Sequence, residues 1–280
     1  MRSGALELAL GTALVLTVAS PSVGADNGVH SGAWRTLEPG LELAAFEVSA
    51  AAQPSDASVH VLRIDPSRFA LRLLNASAPG QTQPLTAKQW CARHGLVAAI
   101  NASMYQTDYR TSVSLMRSAD HTNNPRLSKD KAVLAFDPHD PSVPPVQIID
   151  RQYQNFDDLS PRYRTLVQSI RMVSLHGSNT WQPQPQKWST AAIGMDRQGR
   201  VLFVHVAAPF NTHDLINTLL ALPLDMRNAM YVEGGPEAQL YVHTGVIENE
   251  YVGQFDAGII GAANPHAWPI PNVVGVVRKE

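Results

Sequence analysis

The stretch AMYVEGGPEAQLYV, residues 229–242, joins two apolar runs through an acid, two glycines, a proline and a second acid. Both runs are short and rich in aromatic and β-branched residues, so each reads as a strand. A hairpin needs a turn there, but it does not need Glu233 at the end of an apolar run. Such a carboxylate either serves function or caps local backbone N–H groups. Gly234 and Gly235 can take positive φ or admit a ligand close to the backbone, and a tight turn demands only one such residue.

Strands continue on both sides of this stretch. SVHVLRID (58–65) and RFALRLLN (68–75) alternate in polarity, and LVAAIN (96–101) is the near-continuous apolar run of a strand buried on both faces. KAVLAFD, VQIID and LVQSIRMVS follow as strands between Pro-rich turns. TAAIGMDRQGRVLFVHV reads as a hairpin turning at Asp196–Gly199, and NVVGVVR closes the chain as a strand. Two helices are expected. Thr86 to His94 ends at Gly95, a left-handed cap, and NTHDLINTLLALPL opens at Asn211 or Thr212 and stops before Pro223. No repeat and no long linker divides the pattern. The economical fold class is α+β: a single domain with a mixed, largely antiparallel β-sheet core flanked by helices, covering 58–280 after an N-terminal extension, 26–57, whose one apolar patch is LELAAFEV.

The 280 residues, 44% hydrophobic and 16% charged, supply a sizeable core. A formal net charge of −2 and the lack of any basic run interleaved with aromatics argue against nucleic acid as a partner. The first 25 residues read as a signal peptide: Arg2, an apolar run from Leu8 to Val18, and the small residues Val23 and Ala25 before a cleavage site. Export to the periplasm or medium follows, with no membrane association once the signal is removed. The sole cysteine, Cys91, cannot form an internal disulfide. It is either a buried thiol or, with His94 three residues on, a nucleophile.

Three polar clusters stand at the ends of apolar strands, where side chains can share a cleft. They are NASMYQTDYRTS (101–112), QSIR (168–171) with QKWST (186–190), and EGGPEA (233–238).

The order AAINASMY, WSTAAIGMDRQGRVLFVHV, a helix, then AMYVEGGPEAQLYV resembles the phosphodiester glycosidase family across about residues 58 to 278. That family has an Asn-Gly-Gly-Phe-like segment after a strand, an Arg-Thr-Ala-Leu-Gly-like hairpin opening and a late Asp-Gly-Gly-Gly-Ser-Ser. Here Asn101 is kept, but Ala102 and Ser103 replace the two glycines. Glu233, Pro236, Glu237 and Ala238 replace the late Asp, third Gly and two serines. Ser189 or Thr190 stands where Arg is common, with Lys187 nearby.

The resemblance implies an exported hydrolase that cleaves a glycosidic bond to phosphate in a glycan or cell-envelope phosphodiester. Glu233 is then the base, nucleophile or electrostatic carboxylate, and Asp108 the second carboxylate. Arg171 and Lys187 would bind phosphate. Asn101, Ser103, Glu237 and the backbone of Gly234 and Gly235 would meet the sugar or its phosphate. Each has a plainer reading: Asp108 as a turn cap, Arg171 and Lys187 as surface cations, Glu237 as a solvent-facing residue, His213 and Asp214 as helix caps, His205 as a core imidazole. No cofactor is required, though Asp108, Glu233 and backbone carbonyls would suit a hard cation such as Ca²⁺ or Mg²⁺. The altered landmarks also fit a non-catalytic carbohydrate-binding or envelope-assembly protein that uses the same cleft.

Overall fold

The computed structural model describes residues 29–30, 32–48, 57–254 and 266–279. The signal segment, 1–25, lies outside them, as does part of the 26–57 segment. The described strands form a 12-stranded and a 5-stranded sheet. The centre of the larger runs Ala57–Ile64, Val201–Phe210, Trp188–Asp196, Met226–Gly234, Tyr163–Val173. The smaller runs Glu248–Val252, Gln239–His243, Ala98–Asn101, Asn272–Arg278, Phe69–Asn75.

Every pairing between these strands is antiparallel, which corrects the expectation of a mixed sheet. Parallel neighbours need a long crossover, usually a helix. Here the two longer helices, Ala87–His94 and Thr212–Ala221, lie on the outer faces, and the protein is mostly β. Leu41–Val48, inside the 26–57 segment, pairs with Ala57–Ile64 along its full length.

Alternating side chains on each strand build four layers. Between the sheets, Ala98, Ile100, Leu240, Val274 and Val276 of the smaller one meet Ile193, Phe203, Met230 and Val232 of the larger. On the outer face of the larger sheet, Leu215, Ile216 and Leu219 cover Ala192, Leu202, Val204 and Tyr231. On the outer face of the smaller sheet, Trp90 and Cys91 cover Ala99, Tyr241 and Val273. LVAAIN is therefore buried on both faces, by a helix on one side and a sheet on the other.

Both helices start where the sequence signals it. The Thr86 hydroxyl accepts from Gln89 N–H at 3.2 Å while the Gln89 side chain accepts from Thr86 N–H at 3.0 Å, a capping box. Asn211, rather than Thr212, caps the second helix, accepting from His213 and Asp214. Cys91 is buried and its thiol is pushed far up by desolvation, so it holds no thiolate. His94 stacks on Trp90 at 5.5 Å instead of serving it as a base. Among the described residues no helix is long and apolar enough to cross a membrane.

Ile100 is fully buried between the sheets. Ile100→Ala is expected to lower unfolding stability by about 2–5 kcal/mol in urea titration, because the sandwich cannot collapse around the lost methyls. A loss below about 1 kcal/mol would contradict this placement.

Candidate active site

Met226–Gly234 runs through the middle of the larger sheet, pairing with Trp188–Asp196 on one side and Tyr163–Val173 on the other. Its register shifts between Ala191 and Ala192, so Val232 is an extra residue just before Glu233. The chain then makes one 3₁₀ turn, Gly235–Glu237, and enters Gln239–His243, a strand of the other sheet. The acidic segment is thus the crossing between the two sheets, not an ordinary hairpin.

Both glycines have steric reasons. Gly235 has φ 66°, the left-handed region that disfavours side chains. Gly234 is extended, but a Cβ there would lie 1.9 Å from the Tyr231 hydroxyl and 2.8 Å from the Trp188 ring. The paired glycines therefore reflect crowding by aromatics as well as the turn.

Asn101 sits at the end of its strand in the smaller sheet, buried. Its amide donates to the Glu237 carbonyl at 3.0 Å and accepts from Gln239 N–H at 2.7 Å. Two segments that the sequence placed together do converge, and the joint is this side chain. Ser103, also buried, donates to the Gln168 carbonyl at 3.1 Å.

Burial pushes the Glu233 carboxyl up to about 8, with further help from the nearby Glu237 charge and partial relief from Gly234 N–H at 3.0 Å. Glu237 is also raised by burial. Glu233 and Glu237 together disfavour ionisation of the Tyr105 and Tyr231 phenols, which desolvation already holds protonated. Two acids of different strength are therefore flanked by two phenol donors. Trp181 packs on Tyr231 at 5.6 Å, and His213 Nδ1 holds the Trp181 carbonyl at 2.6 Å. The buried Thr190 hydroxyl, on the residue paired with Gly234, has no partner among the described residues.

Other expected site residues are committed elsewhere. Asp108 is exposed; it accepts from Arg110 N–H, Thr111 N–H and the Thr111 hydroxyl at 3.0, 2.9 and 2.6 Å, which holds its carboxyl below the usual range. That geometry is a turn cap. Arg171 puts Nη1 on both Asp150 oxygens, at 2.7 and 2.9 Å, and Nη2 on Gln152 at 2.8 Å. With a side chain only 13% exposed, its fork is filled by the protein. Lys187 is half-buried immediately before Trp188–Asp196. His205, fully buried, bonds the Ala238 carbonyl through Nε2 at 3.2 Å, and burial lowers it to about 3. Among the described residues no three His, Cys, Asp or Glu side chains gather closely enough to hold a metal ion.

A model of the phosphodiester glycosidase family matches residues 94–277, more than half of the chain. The chain belongs to the phosphodiester glycosidase family. Its fold is similar to the catalytic domain of zebrafish N-acetylglucosamine-1-phosphodiester alpha-N-acetylglucosaminidase, solved auto-inhibited by its pro-peptide. The TM-score is 0.64 at 14% identity, covering 90% of this chain and 88% of that one. A hypothetical protein from Synechocystis gives a TM-score of 0.58 at 13% identity, covering 89% of this chain and 64% of that one. No curated protein sequence matches. At these identities the two structures speak to fold, and the family match carries the membership.

Sequence reasoning missed Tyr105, Tyr231 and Trp181 as parts of this site. The first lies inside NASMY, one position beyond the aromatic of the family's Asn-Gly-Gly-Phe-like landmark, whose place Met104 takes.

Glu233 binds a proton more readily folded than unfolded, so its contribution favours folding at low pH and is lost as pH rises from about 4.5 through about 8. Relative to Glu233→Gln, the wild-type melting temperature is expected to fall by about 5 °C or more between pH 5 and pH 9, read by calorimetry. A constant difference across that range would show that Glu233 is not buried as described.

Proposed function

We propose that the protein is a hydrolase that cleaves the glycosidic bond between a sugar and the phosphate of a phosphodiester, and that Glu233 and Glu237 divide the work. The reading rests on one observation: two carboxyls at the sheet crossing, one raised to about 8 and the other less perturbed. Groups of one type pushed apart in acidity mark acid and base assignments.

The substrate's charge explains why the pair is asymmetric. A phosphodiester is an anion, and two ionised carboxylates beside it would repel it. Glu233, neutral at pH 7, donates a hydrogen bond to the phosphate instead, alongside the phenols of Tyr105 and Tyr231. Glu237, the ionised partner, accepts the proton of the attacking water. Water oxygen then bonds the anomeric carbon. The bond from that carbon to the bridging oxygen breaks with its electrons leaving on the phosphate, which departs as a phosphomonoester. A phosphate needs little protonation to leave, so stabilising its growing charge is the larger demand.

Glu237→Gln is expected to lower kcat about a hundredfold or more on sugar 1-phosphodiesters at every pH. Glu233→Gln keeps a neutral donor and is expected to retain most activity at pH 7 while losing the alkaline fall expected of the wild type near pH 8. An inactive Glu233→Gln, with wild-type rates rising through pH 8, would instead make Glu233 the base. Tight glycan binding without turnover would favour the carbohydrate-binding alternative.

The same proposal puts the protein outside the cytoplasm, on the strength of Arg2, the Leu8–Val18 run, and Val23 and Ala25. N-terminal sequencing of exported material should begin at Asp26, and retention of Met1 in that material would refute it.

A further inference from the structure

Tyr109 has a backbone that suits it poorly and a ring that faces water. Its φ is 55°, in a region that bulky side chains rarely occupy, and its surface is 61% exposed. A tip residue with neither packing nor hydrogen-bonding need for an aromatic is ordinarily Gly, Asn or Asp.

The loop around it is held from several directions. Tyr105 and Ser112 form a bridge at its base, and Gln106 N–H donates to the Thr111 carbonyl at 2.7 Å. Asp108 fastens the far side of the turn, as described above. The Arg110 carbonyl accepts from Asn123 at 2.9 Å and from Asn272 at 3.3 Å, while the Arg110 side chain donates to the Ala76 carbonyl at 2.9 Å. These contacts fix Tyr109 without using its ring.

The fixed ring stands beside a residue of the site. It lies 5.6 Å from the half-buried Tyr105 ring, at an interplanar angle of 45°. The Tyr105 hydroxyl in turn senses the Glu237 and Glu233 charges, and the same chain segment begins at Asn101, bonded to the Glu237 carbonyl. Tyr109 is exposed, and Tyr105 and Glu233 are both half-buried.

We propose that Tyr109 is a specificity-determining residue whose ring stacks on the sugar at the far side of the phosphodiester, beyond the sugar whose bond is cleaved. The sugar undergoing cleavage must sit at the half-buried acids. What extends past its phosphate toward solvent meets the rim, where an exposed aromatic face matches the C–H face of a pyranose. This inference rests on the hydrolase reading above and adds which part of the substrate is recognised.

Two diesters of N-acetylglucosamine 1-phosphate separate the possibilities: one with methanol, one with the O6 hydroxyl of methyl glucoside. In Tyr109→Ala, KM for the glucoside diester is expected to rise roughly tenfold while KM for the methyl diester stays within about twofold. Tyr109→Phe and Tyr109→Trp should keep the wild-type preference, which a merely structural role would not predict. Equal changes on both diesters, or no change on either, would overturn the proposal. If wild-type protein cleaves neither diester, the hydrolase reading fails by itself. Calorimetric titration with the glucoside diester then decides the stacking: weaker binding to Tyr109→Ala than to wild type supports it, and equal or absent binding by wild type overturns it.

Discussion

Between Glu233 and Gln239 the chain steps from the larger sheet onto the smaller, and the side chain of Asn101 holds the landing. Few side chains fit this position. The joint needs one donor for the Glu237 carbonyl and one acceptor for Gln239 N–H, both within a buried strand end. Aspartate lacks the donor, and glutamine adds a methylene that the fully paired strand cannot absorb. Because Asn101 belongs to the smaller sheet and Glu233 to the larger, the two acids are fixed with respect to both. A loop could carry the same residues, but it could not hold their separation against thermal motion.

That rigidity is what makes the electrostatics useful. Glu233 is half-buried and raised because it is partly shielded from water, and a flexible crossing would let water return and restore an ordinary carboxylate. The phenols of Tyr105 and Tyr231 depend on the same exclusion to remain donors. The crowding of Gly234 by Tyr231 and Trp188 belongs to the same design: the wall that excludes water stands close enough to forbid a Cβ on the strand it covers.

Local features were legible in the sequence and remote ones were not. The left-handed Gly95 cap, the Asn211 cap and the turn at Asp196–Gly199 each depend on residues within a few positions, and all three form. The buried run LVAAIN declared its two covered faces, yet its direction relative to its neighbours depends on connections elsewhere, and there the mixed-sheet expectation failed. Arg171 read as a phosphate ligand because Asp150, which fills its fork, lies 21 residues away. The composition of a strand end does not disclose such a partner. Asp108 carried two readings, and the turn cap is the one that forms, because its partners lie within three residues in QTDYRT.

The polar residues that looked catalytic by type are largely scaffolding, and this shifts the burden of recognition. Asp108 caps an exposed turn, while Asn101, Ser103 and Arg171 satisfy backbone or ionic partners that would otherwise be unpaired, and an unpaired buried polar group costs about 1–3 kcal/mol. A side chain held by that penalty is a poor ligand, since binding substrate would require breaking its bond first. The groups left to meet a substrate are the two acids, the phenols beside them and the aromatic faces at the rim. On the proposed reading an anionic phosphodiester carrying sugars suits such a surface, because neutral donors can stabilise its charge and ring faces can meet its C–H surfaces. In this member of the family, discrimination should therefore follow the shape of the sugars more closely than the charge of the phosphate.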